Sequence, residues 1–251
     1  MDATTSSATR PGGAFPATRR SVVLAVGSAE EEVRRQAFGA LVEAYWKPAY
    51  KLLRLKWRLD PAAAEDATQD FFARALEKGW FARYDPQRAR FRTFLRTCLD
   101  GFAANRRKAA GRDKRGGGVP PLSLDFAGAE GELAFAEPAD PLDPDALFHR
   151  EWVRHLFARA LERARRRLAA RGQTAAWELF ERLDLAGTDA PRRPTYDDLA
   201  ADLGIPATQV TNRLGAARRE LRRAVLELLA EATGSERELA EEARALLGVT
   251  P

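Results

Sequence analysis

Apolar residues recur in this chain at intervals of three and four, with polar and charged residues between them, and its organisation reads as almost entirely helical. Val33, Ala37, Phe38, Leu41, Val42 and Tyr45 form the first stripe. Ser28 and Glu31 have the spacing of a capping box, so a helix is expected from about Ala29 to Trp46. Pro48 is expected to interrupt it, and Tyr50, Leu52, Leu53, Leu55 and Trp57 make a second apolar piece. Asp60 before Pro61 is a helix start that puts proline where its missing N–H does no harm. That third helix runs through PAAAEDATQDFFARALEKG and is expected to stop near Gly79. Phe91, Phe94, Leu95, Cys98, Leu99 and Phe102 share one face of a fourth. Four such helices can bury a common core.

From Gly116 to about Pro144 neither period is present, and three successive glycines with five prolines mark a linker. A second helical unit opens near Asp145, with Trp152, Val153, Leu156, Phe157, Ala160, Leu161 and Leu168 at helical spacing and Trp177, Leu179, Phe180 and Leu183 continuing it. Thr195 and Asp198 form another capping pattern, predicting a short helix from Tyr196 to Leu203. Gly204 supplies the positive φ of a sharp turn, Ala200 is small where two helices must cross, and the next helix starts around Pro206. This segment reads as a helix-turn-helix. The buried face of its second helix is Val210, Leu214, Ala217 and Leu221. Thr208, Asn212, Gly215, Arg219 and Arg223 lie opposite, flanked by Thr211, Ala216, Arg218 and Arg222. Short polar and cationic side chains suit a helix set in the major groove, where amides and hydroxyls read base edges and arginines reach guanine or phosphate. The plainer alternative is a helical hairpin with a solvated face. Gly215 costs about 1 kcal/mol against alanine inside a helix, which hints at a close approach of something to the backbone.

The expected architecture is therefore all-α: two helical domains joined by a flexible acidic linker, the second with the helix-turn-helix. Residues 1–20 form a disordered tail, 21–115 the first helical domain, 116–144 the linker, 145–232 the second domain and 233–251 a C-terminal helical tail. In that tail Ser235 and Glu238 repeat the capping pattern, and Leu239, Ala240, Ala243, Leu246 and Leu247 make one apolar face. Four glutamates against Arg237 and Arg244 keep the tail from phosphate. Its apolar face either covers the second domain or masks the DNA-reading helix.

Charge sharpens the picture through its distribution. The 251 residues carry a formal net charge of only +5. Between Gly116 and His149, however, there are seven acidic residues and no lysine or arginine, whereas eleven basic residues between Arg83 and Arg115 face only Asp85, Asp100 and Asp113. Two basic surfaces joined by a linker suit one long polyanion held at two places, and double-stranded DNA is the obvious candidate. Cys98 is the only cysteine, so no intrachain disulfide forms and a reducing compartment is expected; the thiol is read as buried and inert. Val22 to Val26 is too short for a signal-peptide core or a membrane span, which makes the expected location cytoplasmic, without a membrane partner.

In the fourth helix Arg92 and Arg96, with Arg106, Arg107, Lys108, Arg112, Lys114 and Arg115 beyond them, set a strip of positive charge beside aromatic rings. That combination suits a DNA strand being separated, with phosphates held electrostatically and unstacked bases in apolar pockets. Asn105, near the helix end, is either a base contact or a C-cap. On the third helix Asp66, Gln69 and Asp70 form an acidic and amide face that would repel DNA and fits a protein with basic residues, or else is simply solvated.

The strings AEDATQDFFARAL, YDPQRARFRTFLRTCLDGFAANRRKAAGRDKRG and YDDLAADLGIPATQVTNRLGAARRELRR, in this order and spacing, together resemble bacterial sigma-70 family factors of the extracytoplasmic-function (ECF) type. The resemblance covers roughly Ala37 to Arg115 and Trp152 to Leu229. It implies a first domain that binds core RNA polymerase and opens the −10 promoter element, and a second whose helix-turn-helix reads the −35 element. By position, Asp66, Gln69 and Asp70 match the face that docks on the polymerase clamp helices. Asn105 and the basic residues after it match the −10 contacts and melting surface, and Thr211, Asn212 and Arg213 match the −35 readers, with Thr208, Arg218 and Arg219 on the same helix. The acidic linker matches the segment that threads toward the RNA exit path. Ala67 stands where the family has Leu or Val, Phe94 where Trp is usual and Asn212 where Ser is usual, while Ala186 to Pro194 enlarges a loop; these departures bear on which promoter is read. The expected partners are core polymerase and promoter DNA, with an anti-sigma protein or other regulator as a further candidate.

Two rival classes share parts of this pattern. A helix-turn-helix regulator that does not bind core polymerase needs neither the Phe91 to Arg115 block nor the acidic face of the third helix. An enzyme is disfavoured: His149 and His155 are the only histidines, no thiol cluster or phosphate-binding glycine loop is present, and Gly116 to Gly118 lack the lysine and hydroxyl of a P-loop. No catalytic residue, cofactor or metal is expected.

Overall fold

A computed structural model of the protein describes residues 22–109, 123–134, 143–185 and 194–248. It is all-helical, with no strand among those residues. The helices are α1 (Val22–Ala25), α2 (Glu31–Leu55), α3 (Pro61–Glu77), α4 (Phe91–Ala109), α5 (Phe126–Ala134), α6 (Pro144–Ala170), α7 (Thr174–Phe180), α8 (Tyr196–Leu203), α9 (Ala207–Ala232) and α10 (Glu236–Leu247). A 3-10 turn (Trp80–Arg83) precedes α4, and a π turn (Glu181–Leu185) extends α7. No helix among the described residues is long and apolar enough to cross a membrane.

Local signals set several boundaries as expected. The Asp60 carboxylate caps α3 by accepting from Ala63 N at 2.9 Å, and Gly79 ends that region with φ 58°. Elsewhere packing overrides the local reading. The capping box at Ser28 does not form: Ser28 Oγ accepts from Glu30 N at 3.2 Å, and α2 begins after Glu30 without a side-chain cap. Pro48 does not interrupt α2, which continues unbroken to Leu55. A proline inside a helix costs about 3 kcal/mol. Here Tyr45, Trp46, Ala49, Tyr50, Leu52 and Leu53 are all buried around it, and their burial outweighs a penalty of that size.

α2 is the spine of the molecule. It packs against α3 and α4 on one side and against α6 and α9 on the other, so helices of both expected domains join a single continuous cluster of buried side chains. Tyr45 marks the meeting point. Its ring lies 5.5 Å from that of Phe91, 6.5 Å from Phe148 and 6.3 Å from Trp152, and its hydroxyl donates to the Ala232 carbonyl at 2.8 Å.

Part of the expected linker is ordered on this spine as α5. Phe126 packs 5.4 Å from the Trp46 ring and 5.2 Å from Tyr50, and Ala129 is fully buried. Glu130 pairs with Arg54 and accepts from the Tyr50 hydroxyl at 2.7 Å. Glu132 pairs with Lys47 and Lys51, each at 2.7 Å, and Lys51 reaches on to Glu151 of α6 at 2.9 Å. Glu130 and Glu132 of the acidic run thus find their counter-charges within the chain. The N-terminal tail at 1–20 and linker residues 116–122 and 135–142 lie outside the described residues.

At the seam between α2 and α6, His155 donates from Nε2 to the Glu43 carbonyl at 2.7 Å, while its buried Nδ1 has no partner among the described residues. A proton on Nδ1 would be an unsatisfied donor. Burial accordingly lowers the His155 pKa from 6.5 to about 4. The unfolded chain takes up this proton near pH 6.5 and the folded chain only near pH 4, so folding loses stability as pH falls through that window, by on the order of 3 kcal/mol. Urea unfolding at a series of pH values, with the His155→Leu variant as reference, should show a larger loss in the parent than in the variant. Parallel stability curves for the two proteins would refute it.

Candidate nucleic-acid interface

α8 and α9 are set against each other by their own sequence. Asp198 N donates to Thr195 Oγ1 at 3.1 Å and Thr195 N donates to Asp198 Oδ2 at 2.7 Å, completing the capping box at the start of α8. Gly204 takes φ 60°, which a side chain would disfavour, and Ile205 N returns to the Ala200 carbonyl at 3.1 Å. α9 then runs from Ala207 with Val210, Leu214, Ala217 and Ala224 fully buried. Thr208, Thr211, Asn212, Arg218, Arg219, Arg222 and Arg223 are exposed, and Arg213 is half-exposed. Leu221, expected in the buried stripe, is only partly covered. Glu220 is buried in the seam instead, accepting from Arg167 of α6 at 3.3 Å and from Arg171, just past the end of α6, at 2.7 Å.

The cations of α9 are not equivalent. Arg218 makes two hydrogen bonds to Asp184, at 2.7 and 2.9 Å, and lies 3.3 Å from the Tyr196 hydroxyl. Those bonds raise its pKa further and brace α9 to the π turn and to α8. Arg219 folds back over Gly215, its Nη1 3.1 Å from where a Cβ would stand, so a side chain of the same helix takes the space at Gly215. No carboxylate among the described residues pairs with Arg219 or Arg222. Thr211 Oγ1 donates to the Ala207 carbonyl at 3.1 Å, and Arg213 lies 3.4 Å from Gln209 Oε1.

Of the five described cations of α4, Arg92, Arg96 and Arg106 are paired with carboxylates. Arg92 pairs with Glu242 and stands 5.3 Å over the Trp152 ring. Arg96 bridges Asp100 at 2.7 Å and Asp145 at 2.6 Å. Burial would raise the Asp100 pKa, but hydrogen bonds from Lys56, Trp57 and Arg96 outweigh it and lower the value. Arg106 lies 3.3 Å from Asp70, and Arg107 sits 5.4 Å over the Trp57 ring. Asn105, Arg107 and Lys108 are exposed near the helix end. Because α4 continues through Ala109, Asn105 is not a C-cap. Arg112, Lys114 and Arg115 lie outside the described residues. Cys98 is half-buried rather than enclosed, and burial pushes its thiol pKa up.

On α3, Asp66 is exposed and Gln69 half-exposed, while Asp70 pairs with Arg74 at 2.7 Å as well as with Arg106. Asp70 and Arg106, expected on two different binding surfaces, are thereby brought together. The residues missed from sequence are carboxylates that take up these cations: Asp184, Glu220 and Glu242. Of these, Glu220 had a visible signal, as the single acid in the run RRELRR.

Comparison with models of protein families, with curated proteins and with solved structures finds no match to this chain.

The unequal pairing on α9 separates two neighbouring arginines. Arg218→Ala should cost about 1 kcal/mol of folding stability, as an exposed but multiply bonded pair does at most, and Arg219→Ala no more than about 0.5 kcal/mol. Urea unfolding of the two variants measures this. The opposite ranking would remove Arg218 as a brace.

Proposed function

We propose that this chain is a sigma factor of the sigma-70 type, which binds core RNA polymerase and directs promoter recognition, DNA melting and transcription initiation. The observation that carries the reading is the α8–α9 pair: a capped helix, a glycine turn and a second helix whose outward face offers hydroxyls, an amide and two arginines, Arg219 and Arg222, that no carboxylate among the described residues pairs. Those are the groups that read base edges and hold phosphate in a major groove. In this reading α8–α9 is a helix-turn-helix for the −35 element, with Thr208, Thr211, Asn212, Arg213 and Arg219 facing DNA and Arg218 supporting from behind. The exposed end of α4, with Asn105, Arg107 and Lys108, serves the −10 element. Asp66 and Gln69 on α3 face the polymerase. The division into units 21–115 and 145–232 belongs to the same proposal, because two promoter elements are reached together only when those units can separate.

The runner-up, a DNA-binding regulator independent of polymerase, draws support from the engagement of Asp70 by Arg74 and Arg106, which ties up part of the face assigned to polymerase. Pull-down of core RNA polymerase and then run-off transcription decide between them. Asp66→Lys should weaken polymerase binding while leaving stability within about 0.5 kcal/mol, as exposed substitutions do. Asn212→Ala should lose about 1–3 kcal/mol of promoter binding at its own base position only. Equal loss on all promoters would make Asn212 a backbone anchor, and polymerase binding unaffected by Asp66→Lys would favour the runner-up.

A further inference from the structure

The start of α4 is capped by another helix. Phe91 N, one of the donors that a helix leaves unpaired at its first turn, donates to Glu238 Oε1 at 3.0 Å. The other oxygen of that carboxylate accepts from Gly234 N at 2.9 Å and lies 3.3 Å from the Tyr84 hydroxyl. One turn further along α10, Glu242 accepts from Arg90 Nη1 at 2.8 Å and from Arg92, and Glu241 accepts from Arg90 Nη2 at 2.8 Å. Glu238 and Glu242 are 5% and 1% exposed. Ser235 Oγ caps α10 itself by accepting from Glu238 N at 3.1 Å, so the expected capping pattern is half-used and its glutamate is turned onto α4.

The donors gathered here, two guanidinium groups and a helix-start N–H, are those that bind a phosphate group as readily as a carboxylate. Three carboxylates of α10 now occupy them. Of the two roles expected of the tail, covering of the second domain matches this placement through the contact of α10 with α9, and masking of the DNA-reading helix does not. α10 packs on α9, yet Thr208, Thr211 and Asn212 stay exposed, and its charged edge closes on α4.

We propose that α10 is an intramolecular clasp that keeps Arg90, Arg92 and the start of α4 from nucleic-acid phosphate, and that it must release for DNA to bind there. The inference rests on the nucleic-acid reading of α4. The exchange is chemically balanced: when the clasp opens, the glutamates are hydrated and the arginines pass from carboxylate to phosphate. Closure also depends on a contact without charge. A Cβ at Gly234 would stand 2.2 Å from Tyr84 Cε1, so only glycine lets the chain between α9 and α10 pass that ring.

Two variants of the full chain loosen the clasp by different means. Glu242→Gln withdraws the charge while keeping the shape, and Gly234→Ala forces Tyr84 and α10 apart while leaving every charge in place. The probe is a fluorescein-labelled duplex with an unpaired central stretch, its binding read by anisotropy at low salt, alone and with core polymerase. Each variant should bind about tenfold more tightly than the parent, the factor expected when a closed state holding roughly nine-tenths of the molecules is opened. Variants that keep the parental circular dichroism and bind no more tightly would overturn the clasp. If parent and variants all fail to bind DNA, with or without polymerase, the nucleic-acid reading falls first and the clasp with it.

Discussion

Tyr45 sits where α2, α4, α6 and α9 meet, and its burial is the constraint on which the arrangement turns. A fully buried phenol must find an acceptor for its hydroxyl, because an unpaired buried polar group costs about 1–3 kcal/mol. The Ala232 carbonyl at the end of α9 supplies it. Burial pushes the Tyr45 pKa well up, so the group remains a donor across the ordinary pH range. The bond fixes the end of α9 against the middle of α2, and the chain beyond α9 is then delivered beside Tyr84 and the start of α4. Lys51 makes a second fixed point one turn and a half along α2, with Glu132 on one side and Glu151 on the other. Buried ion pairs of this kind add little net stability, but an unpartnered Lys51 would be costly, so α5 and α6 are held in one register.

Much of the helical framework could be read from the sequence because its signals are local. Asp60–Pro61, Thr195–Asp198 and Gly204 each act within one turn of chain, and each does what its spacing implies. Where the reading failed, contacts distant in sequence decided the matter. Pro48 stays helical because both sides of α2 are covered. α5 forms in a segment without helical period because Phe126 enters the cup of Trp46 and Tyr50 and two glutamates meet the basic edge of α2.

The candidate interface was legible in its exposure and not in its pairing. Helical spacing correctly puts Thr208, Asn212 and Arg219 outward, since 100° per residue is a property of the backbone. Spacing says nothing about which guanidinium meets a carboxylate. Arg218 and Arg219 are neighbours in the chain, yet one is bound to Asp184 and Tyr196 and the other lies along its own helix over Gly215. On α4 the same limit applies more widely, because Arg92 and Arg106 find acids far away in sequence.

The single carboxylate of Glu238 serves two helix beginnings at once, joining the Phe91 and Gly234 amides. That shared cap sets the order in which the molecule assembles as it is synthesised. α4 emerges from the ribosome well before α10 exists, with the amide of Phe91 open to water and its arginines open to any anion. The N-terminal helices can collapse around Phe91 and Leu95 early, but the first turn of α4 acquires its final partner only when α10 arrives. A nascent chain therefore passes through an interval in which Arg90, Arg92 and the first turn of α4 lack their carboxylate partners, and that interval ends with the making of α10.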